Sequence, residues 1–218
     1  MTSDRQRKRS ERRWKTGTDE NSHSYLLPSS KVIELGGNRG VFAKNMLRKY
    51  KLQSYIVLEP MKRFYQNLSI ELPKYTGKLQ VLNFGLGKTN KMIEIRDMDD
   101  GTSAFLNSSD PRYTERPMSF IRIVNAIEFF LSLGIGCSEV DLLSMNCEGC
   151  EIEVLEMLIE TNMIKYFKNI QFQLHTNLKH LKDVKRRYCQ IRERLPRTHK
   201  VLYSYPFIWE GWQRKDQS

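Results

Sequence analysis

Hydrophobic positions along this chain come in short runs, and the runs alternate between two periods. Lys31–Leu35, Ser54–Glu59, Leu79–Phe84, Val140–Asn146 and Ile170–His175 are dense in aliphatics and bounded by glycine or polar residues, as strands buried on both faces are. Between them, apolar residues recur at helical spacing over Val41–Tyr50, Met61–Ile70, Asn125–Leu133 and Glu151–Asn162. Leu181, Val184, Tyr188, Ile191 and Leu195 then mark one face of a helix whose other face is basic. Strand alternating with helix predicts an α/β domain with a largely parallel sheet, whose ligands bind at the carboxyl ends of the strands. Met92–Arg96 and Met118–Val124 add two strands around a polar loop, Asp97 to Pro117, while Gly85 and Gly87 stop the third strand. Val201–Tyr205 and Phe207–Trp212 suit a terminal antiparallel pair. The polar loop reads either as a lid, with Ser103, Asn107 and Tyr113 as substrate contacts, or as a plain surface loop.

Residues 1–28 break the pattern. They hold few aliphatics and are rich in Arg, Ser, Thr and Glu, which predicts a basic disordered arm followed by one domain over 29–218. The 218 residues suffice for a core, and no apolar run approaches the roughly 20 residues of a membrane-spanning helix. No apolar stretch follows the basic N-terminus, so a secretory signal is not expected. Four cysteines suit reduced thiols inside the cell, which points to the cytoplasm, with the basic arm also compatible with the nucleus. The net charge of +11 is uneven: residues 5–15 carry seven basic side chains against one acidic, and residues 179–200 carry nine against two. Two such clusters can attract RNA, phosphate or an acidic lipid surface; a solubilising arm and a solvated helix face are the plainer reading.

The chemistry concentrates at three strand ends. Val32 to Gly40 runs from a buried strand into glycines and then a helix, so the backbone there can approach a nucleotide-like ligand closely. Asn38 and Val41 stand where a dinucleotide fingerprint counted from Gly36 needs glycine, which leaves less room for a pyrophosphate. Glu34 two residues before Gly36, with Gly40 four after it, suits the positive ammonium and sulfonium of S-adenosylmethionine. Glu59, at the end of the second strand, can accept two hydrogen bonds from ribose hydroxyls, or be a surface acid. Asp141 to Glu151 again ends a core strand in a polar turn with a helix behind.

Together the three motifs resemble the FkbM family of S-adenosylmethionine-dependent methyltransferases. Glu34, Gly36, Asn38 and Gly40 look like the family's glycine motif, and Glu59-Pro60 is similar to its Glu-Pro. Asp141, Glu148, Gly149 and Glu151 match its Asp-Leu-Leu-Lys-x-Asp-x-Glu-Gly-x-Glu stretch, with Ser144 in place of Lys and Asn146 in place of Asp. The resemblance runs from about Val32 to His175. It implies a Rossmann-like, seven-stranded, mostly parallel sheet with helices on both faces, S-adenosylmethionine as cofactor, and methylation of a hydroxyl on a small molecule or glycan. Glu34, Gly36, Asn38, Gly40 and Glu59 would then bind the cofactor.

Methyl transfer to oxygen needs an in-line acceptor and a group to take its proton. Glu148 is the first candidate base, with a helix N-terminal carboxylate as its alternative role. His175 is the second, because an ordinary histidine titrates near neutrality; a structural histidine is its alternative. Asn146 cannot take a proton but can hydrogen-bond the acceptor or the cofactor. Cys147-Glu148-Gly149-Cys150 also has the spacing of a redox pair, but the acids around it disfavour a thiolate. No second close Cys/His pair completes a zinc site, and no metal is expected. Two rival functions remain: an RNA methyltransferase that uses the basic arm and helix, and a degenerate cofactor-binding or interaction module without turnover.

Overall fold

The computed structural model describes residues 3–16, 22–75, 78–97, 115, 117–175, 178 and 181–215. In chain order they form α1 (Ser3–Thr16), β1 (Lys31–Leu35), α2 (Val41–Lys49), β2 (Ser54–Leu58), α3 (Lys62–Glu71), β3 (Leu79–Leu82) and β4 (Gly85–Gly87). There follow β5 (Lys91–Arg96), β6 (Met118–Asn125), α4 (Ala126–Ser132), β7 (Leu142–Met145), α5 (Cys150–Glu160), β8 (Asn169–Gln173), α6 (Val184–Arg194), β9 (His199–Tyr205) and β10 (Trp209–Arg214).

The central strands are short and apolar because both faces of each are covered. β7 is buried at every position and β1 at four of five. Alternation divides their side chains. Val32 and Leu142 meet Ala43, Met46 and Leu68 of α2 and α3 on one face. Ile33, Leu35, Leu143 and Met145 meet α4, α5 and α6 on the other. Each such Leu or Ile contributes about 1.5–3 kcal/mol by leaving water.

Seven strands make the main sheet, ordered β3-β2-β1-β7-β8-β10-β9. β1 pairs in parallel with β2 and with β7, and β7 pairs in parallel with β8. β10 runs antiparallel to both its neighbours. The mostly parallel sheet with helices on both faces is the architecture expected from the sequence. The chain leaves β1 in one direction and returns to its other side as β7, so the strand order reverses between them, where open α/β sheets bind ligands.

Two local findings differ from the sequence reading, and a third adds to it. Gly85 and Gly87 do not merely stop β3: they form β4, which pairs with β6 to begin a second, three-stranded sheet ordered β4-β6-β5. Ser3–Thr16, expected within a disordered arm, is a helix. Arg, Lys and Glu are good helix formers, and Trp14 anchors the helix on Tyr203, Tyr205, Ile208 and Trp209. The two basic clusters also lie on opposite faces of the sheet. α1 sits on the face that carries Tyr203 and Tyr205, whereas α6 sends Tyr188 to Phe207 and to the Glu210 carboxylate on the other. Among the described residues, no helix is long and apolar enough to cross a membrane. Ser103, Asn107 and Tyr113 lie outside the described residues.

Candidate functional site

Two strand-to-helix turns face each other across the reversal point. In the turn after β1, the amides of Gly36 and Gly37 both donate to the Leu58 carbonyl, at 2.9 and 3.1 Å. Gly36 has φ +88°, and a Cβ there would lie 2.0 Å from the Asn146 carbonyl oxygen. Glycine thus lets the two turns touch. Asn38, at φ 44°, donates its amide to Glu59 Oε2 at 2.7 Å, and the Met61 amide donates to Glu59 Oε1 at 2.8 Å. Burial raises the Glu59 pKa against the pull of these two amides and of Arg63. The Asn38 side-chain oxygen is buried and has no hydrogen-bond partner among the described residues.

Glu34 behaves differently. Its side chain lies on the α2 side of the sheet and accepts the Tyr55 hydroxyl at 2.6 Å. Burial, opposed by that hydrogen bond, pushes its pKa up to about 8. The acid is therefore mostly protonated at neutral pH, and its expected attraction for a cationic ligand fades.

In the turn after β7, Glu148 and Gly149 have φ 53° and 113°, and α5 begins at Cys150. Glu148 Oε1 lies 3.1 Å from His175 Nε2, and Glu151 Oε1 lies 2.9 Å from His175 Nδ1. Glu151 is fully buried and also accepts the His175 and Gly149 amides, at 3.1 and 2.9 Å. Burial opposes a charge on His175, but the flanking Glu151 and Glu148 carboxylates overcome it and raise its pKa to about 10. The imidazole is accordingly an imidazolium at neutral pH, with both nitrogens engaged, rather than the neutral base its ordinary pKa suggests.

Cys147 and Cys150 are joined in a disulfide with Cα atoms 5.4 Å apart, which corrects the expectation of reduced thiols for this pair. Cys137 and Cys189 are free and exposed. The two bonded sulfurs and a Glu151 oxygen lie within 4.8 Å of one another, which among the described residues is one group short of the four that a structural zinc site needs.

Between the turns opens a cavity. Gly36, Asn38 and Glu59 line it from the first turn, and Asn146, Cys147, Glu148 and Cys150 from the second. Ile93 and Ile95 of β5 with Ile121 and Ile123 of β6 form an apolar wall, and Lys91 and Glu153 add charge. Glu34, Gly40 and His175 are not among its lining residues. Gly40, at φ +74°, starts α2 beside Leu68, where a Cβ would meet the Leu68 Cδ2 at 2.6 Å. Of the eight site residues expected from sequence, the fold brings Gly36, Asn38, Glu59, Asn146 and Glu148 into one cavity wall. Sequence reasoning missed the isoleucine wall, although its period of two was legible, because nothing local says which ligand a strand face meets. It also missed Glu151 as the hub that holds His175.

No protein-family model matches the sequence, and no curated protein matches it. Among solved structures the chain is similar to the methyltransferase FkbM from Methylobacillus flagellatus, with a TM-score of 0.55 and 14% identity. That likeness covers 87% of this chain but 44% of the other, so the chain spans less than half the length of that protein. A second is SMU.1697c of Streptococcus mutans, described as a methyltransferase and solved in complex with SAH, with a TM-score of 0.50 and 6% identity over 87% of this chain and 91% of that one. At such identities the likeness is one of fold: the Rossmann-like methyltransferase fold.

Proposed function

We propose that this chain is an S-adenosylmethionine-dependent methyltransferase of the FkbM type that methylates a hydroxyl oxygen on a small molecule or glycan. The observation that carries the reading is Glu59, buried in the cavity wall at the end of β2 and steadied by two backbone amides. Its oxygens keep lone pairs for ribose hydroxyls, and the unpartnered Asn38 oxygen beside it suits a donor such as an ammonium. The four isoleucines suit the flat apolar face of an adenine. The residues present therefore fit the cofactor, which when bound supplies a methyl carbon activated by a sulfonium.

The chain's own work is positioning and proton transfer. Asn146, exposed at the cavity mouth, orients the acceptor hydroxyl. The Glu148 carboxylate accepts the proton that the hydroxyl loses. His175 does not take that proton: it holds Glu148 against the cavity and is itself held by Glu151. Fixing the acceptor in line and close supplies much of the acceleration.

Calorimetric titration with S-adenosylmethionine, S-adenosylhomocysteine and NAD in parallel tests the class. Both sulfur compounds should bind and NAD should not, with affinity about 30-fold weaker in Glu59→Ala. Folded protein that binds neither sulfur compound overturns the reading. Binding without turnover on any acceptor leaves a non-catalytic cofactor module.

One observation favours RNA as the acceptor instead. α1 holds Lys8, Arg9, Arg12 and Lys15 exposed beside the turn between β9 and β10, and that turn bonds to Leu174 just past the carboxyl end of β8. RNA affinity that falls steeply with salt, and flattens when these four residues become Gln, would support that acceptor.

A further inference from the structure

We propose that Cys147 and Cys150 form a thiol–disulfide exchange site in the cavity wall, reduced by a dithiol and re-formed by a low-molecular-weight disulfide, whose state sets the order of the turn that carries Glu148. The chemistry goes beyond methyl transfer; only its effect on cofactor affinity rests on that reading.

Three features place it. Cys147 and Cys150 are both half-buried residues and both line the cavity, which gives a small thiol a route to the pair. The disulfide closes a four-residue ring around Glu148 and Gly149, both at positive φ, a conformation that a non-glycine residue such as Glu148 holds only when its surroundings impose it. Glu151, the hub of the Glu148–His175–Glu151 cluster, stands 3.4 Å from Cys147 Sγ through the same oxygen that accepts the Gly149 amide. A thiol at Cys147 would compete with that amide for Glu151 Oε2. Opening the ring thus loosens the clamp on Glu148 at its base as well as at its flank.

The exchange balances within the two dithiols. A thiolate of the reductant attacks Cys147 Sγ, and the Cys147–Cys150 bond breaks with its electron pair going to Cys150. Cys150 opens α5, so the helix N-terminus stabilises the departing thiolate, which then takes a proton. The reductant's second thiolate displaces Cys147, which is protonated in turn. One protein disulfide is lost, one disulfide forms in the reductant, and two electrons and two protons reach the cysteine pair. A disulfide oxidant such as oxidised glutathione runs the reaction backwards.

The test uses the full chain and does not depend on a cofactor. After equilibration with oxidised glutathione, Cys147 and Cys150 should resist alkylation under denaturing conditions and carry no glutathione, whatever the exposed Cys137 and Cys189 carry; after dithiothreitol alkylation should modify all four. Hydrogen exchange across 146–151 should then quicken about tenfold on reduction, with the strands of the main sheet unchanged. Cys147→Ser/Cys150→Ser should exchange like the reduced wild-type protein in both buffers; if that variant fails to fold, the wild-type comparison still decides. Alkylation or a glutathione adduct at Cys147 and Cys150 in oxidised glutathione, or equal exchange in the two states, overturns the proposal. S-adenosylhomocysteine should bind the oxidised form more tightly. Should it bind neither form, the methyltransferase reading falls, while alkylation and exchange still decide for or against the exchange site.

Discussion

The turns after β1 and β7 do the same job in the fold and are built on different principles. Each carries the chain from a central strand into a helix, and each bends through positive φ. The first does so with glycines at 36 and 40, an asparagine between them, and one carboxylate from the neighbouring strand end. Its polar groups are left with capacity to spare. The second bends through Glu148 and is closed upon itself, by a disulfide and by an imidazolium between two carboxylates. The first turn is permissive; the second is cross-braced.

Gly36→Ala attacks the place where the two turns touch and should cost most. A Cβ would meet the backbone of Asn146, which cannot swing aside, at a φ that alanine resists, so a loss on the order of 4 kcal/mol is expected in urea unfolding. His175→Gln breaks only the second turn and should cost about 3 kcal/mol by leaving two acids without their cation.

The pH profile of the same variant separates the two turns further. The folded-state pKa of His175 is raised to about 10, so its contribution is whole below its unfolded value near 6.5 and disappears as pH rises through 10. Glu34, raised to about 8, also loses stability with rising pH, but its loss is nearly complete above that value. Between pH 8.5 and 10, roughly, the wild-type unfolding midpoint should fall while that of His175→Gln stays level. Glu34→Gln has the opposite sign: it keeps a partner for Tyr55 and removes a buried charge, for a gain on the order of 2 kcal/mol at pH 9 that vanishes near pH 5.

The smallest effects compare the two bends directly. Asn38→Gly should change stability by less than about 0.5 kcal/mol, since it relieves φ and removes an unpaired oxygen. Glu148→Gly relieves φ equally but abandons His175, so a net loss of about 1–2 kcal/mol should appear in the same unfolding curves. Equal results at the two positions would erase the distinction between them.

The same contrast explains what the sequence disclosed. β1, β2, β7 and β8 were legible to within a residue or two because burial on both faces leaves an unbroken apolar run. That Gly36, Asn38 and Glu59 gather at one turn was legible because a strand end running into glycines, with an acid closing the next strand, is a pattern that few other settings need. The second turn was only half readable. Glu148 stood out, but Glu151 looked like an ordinary acid in a first helical turn, and its partner His175 arrives a whole helix and strand later. The disulfide was opposed by composition, since four cysteines in such a chain argue for thiols. α1 was hidden because one tryptophan among charges says nothing about what it will meet.

The segment before β1 crosses the sheet as a strap: His23, almost wholly buried, bonds to Gln171 of β8 at 2.9 Å, and Gln171 bonds onward to Ser144 of β7. His23 and Gln171 stand 148 residues apart in the chain. During synthesis at about 5–20 residues per second, the strap therefore leaves the ribosome about 7–30 s before the strand it must lie on exists. For that interval Trp14 lacks the Tyr203–Trp209 cluster it packs on, and His23, although Phe42 and Tyr50 are already beside it, lacks its bond to Gln171. The segment before β1 is made well before the strands on which it is seated, so nascent chains should depend on chaperones over that interval, and folding of the released, denatured chain should escape the delay.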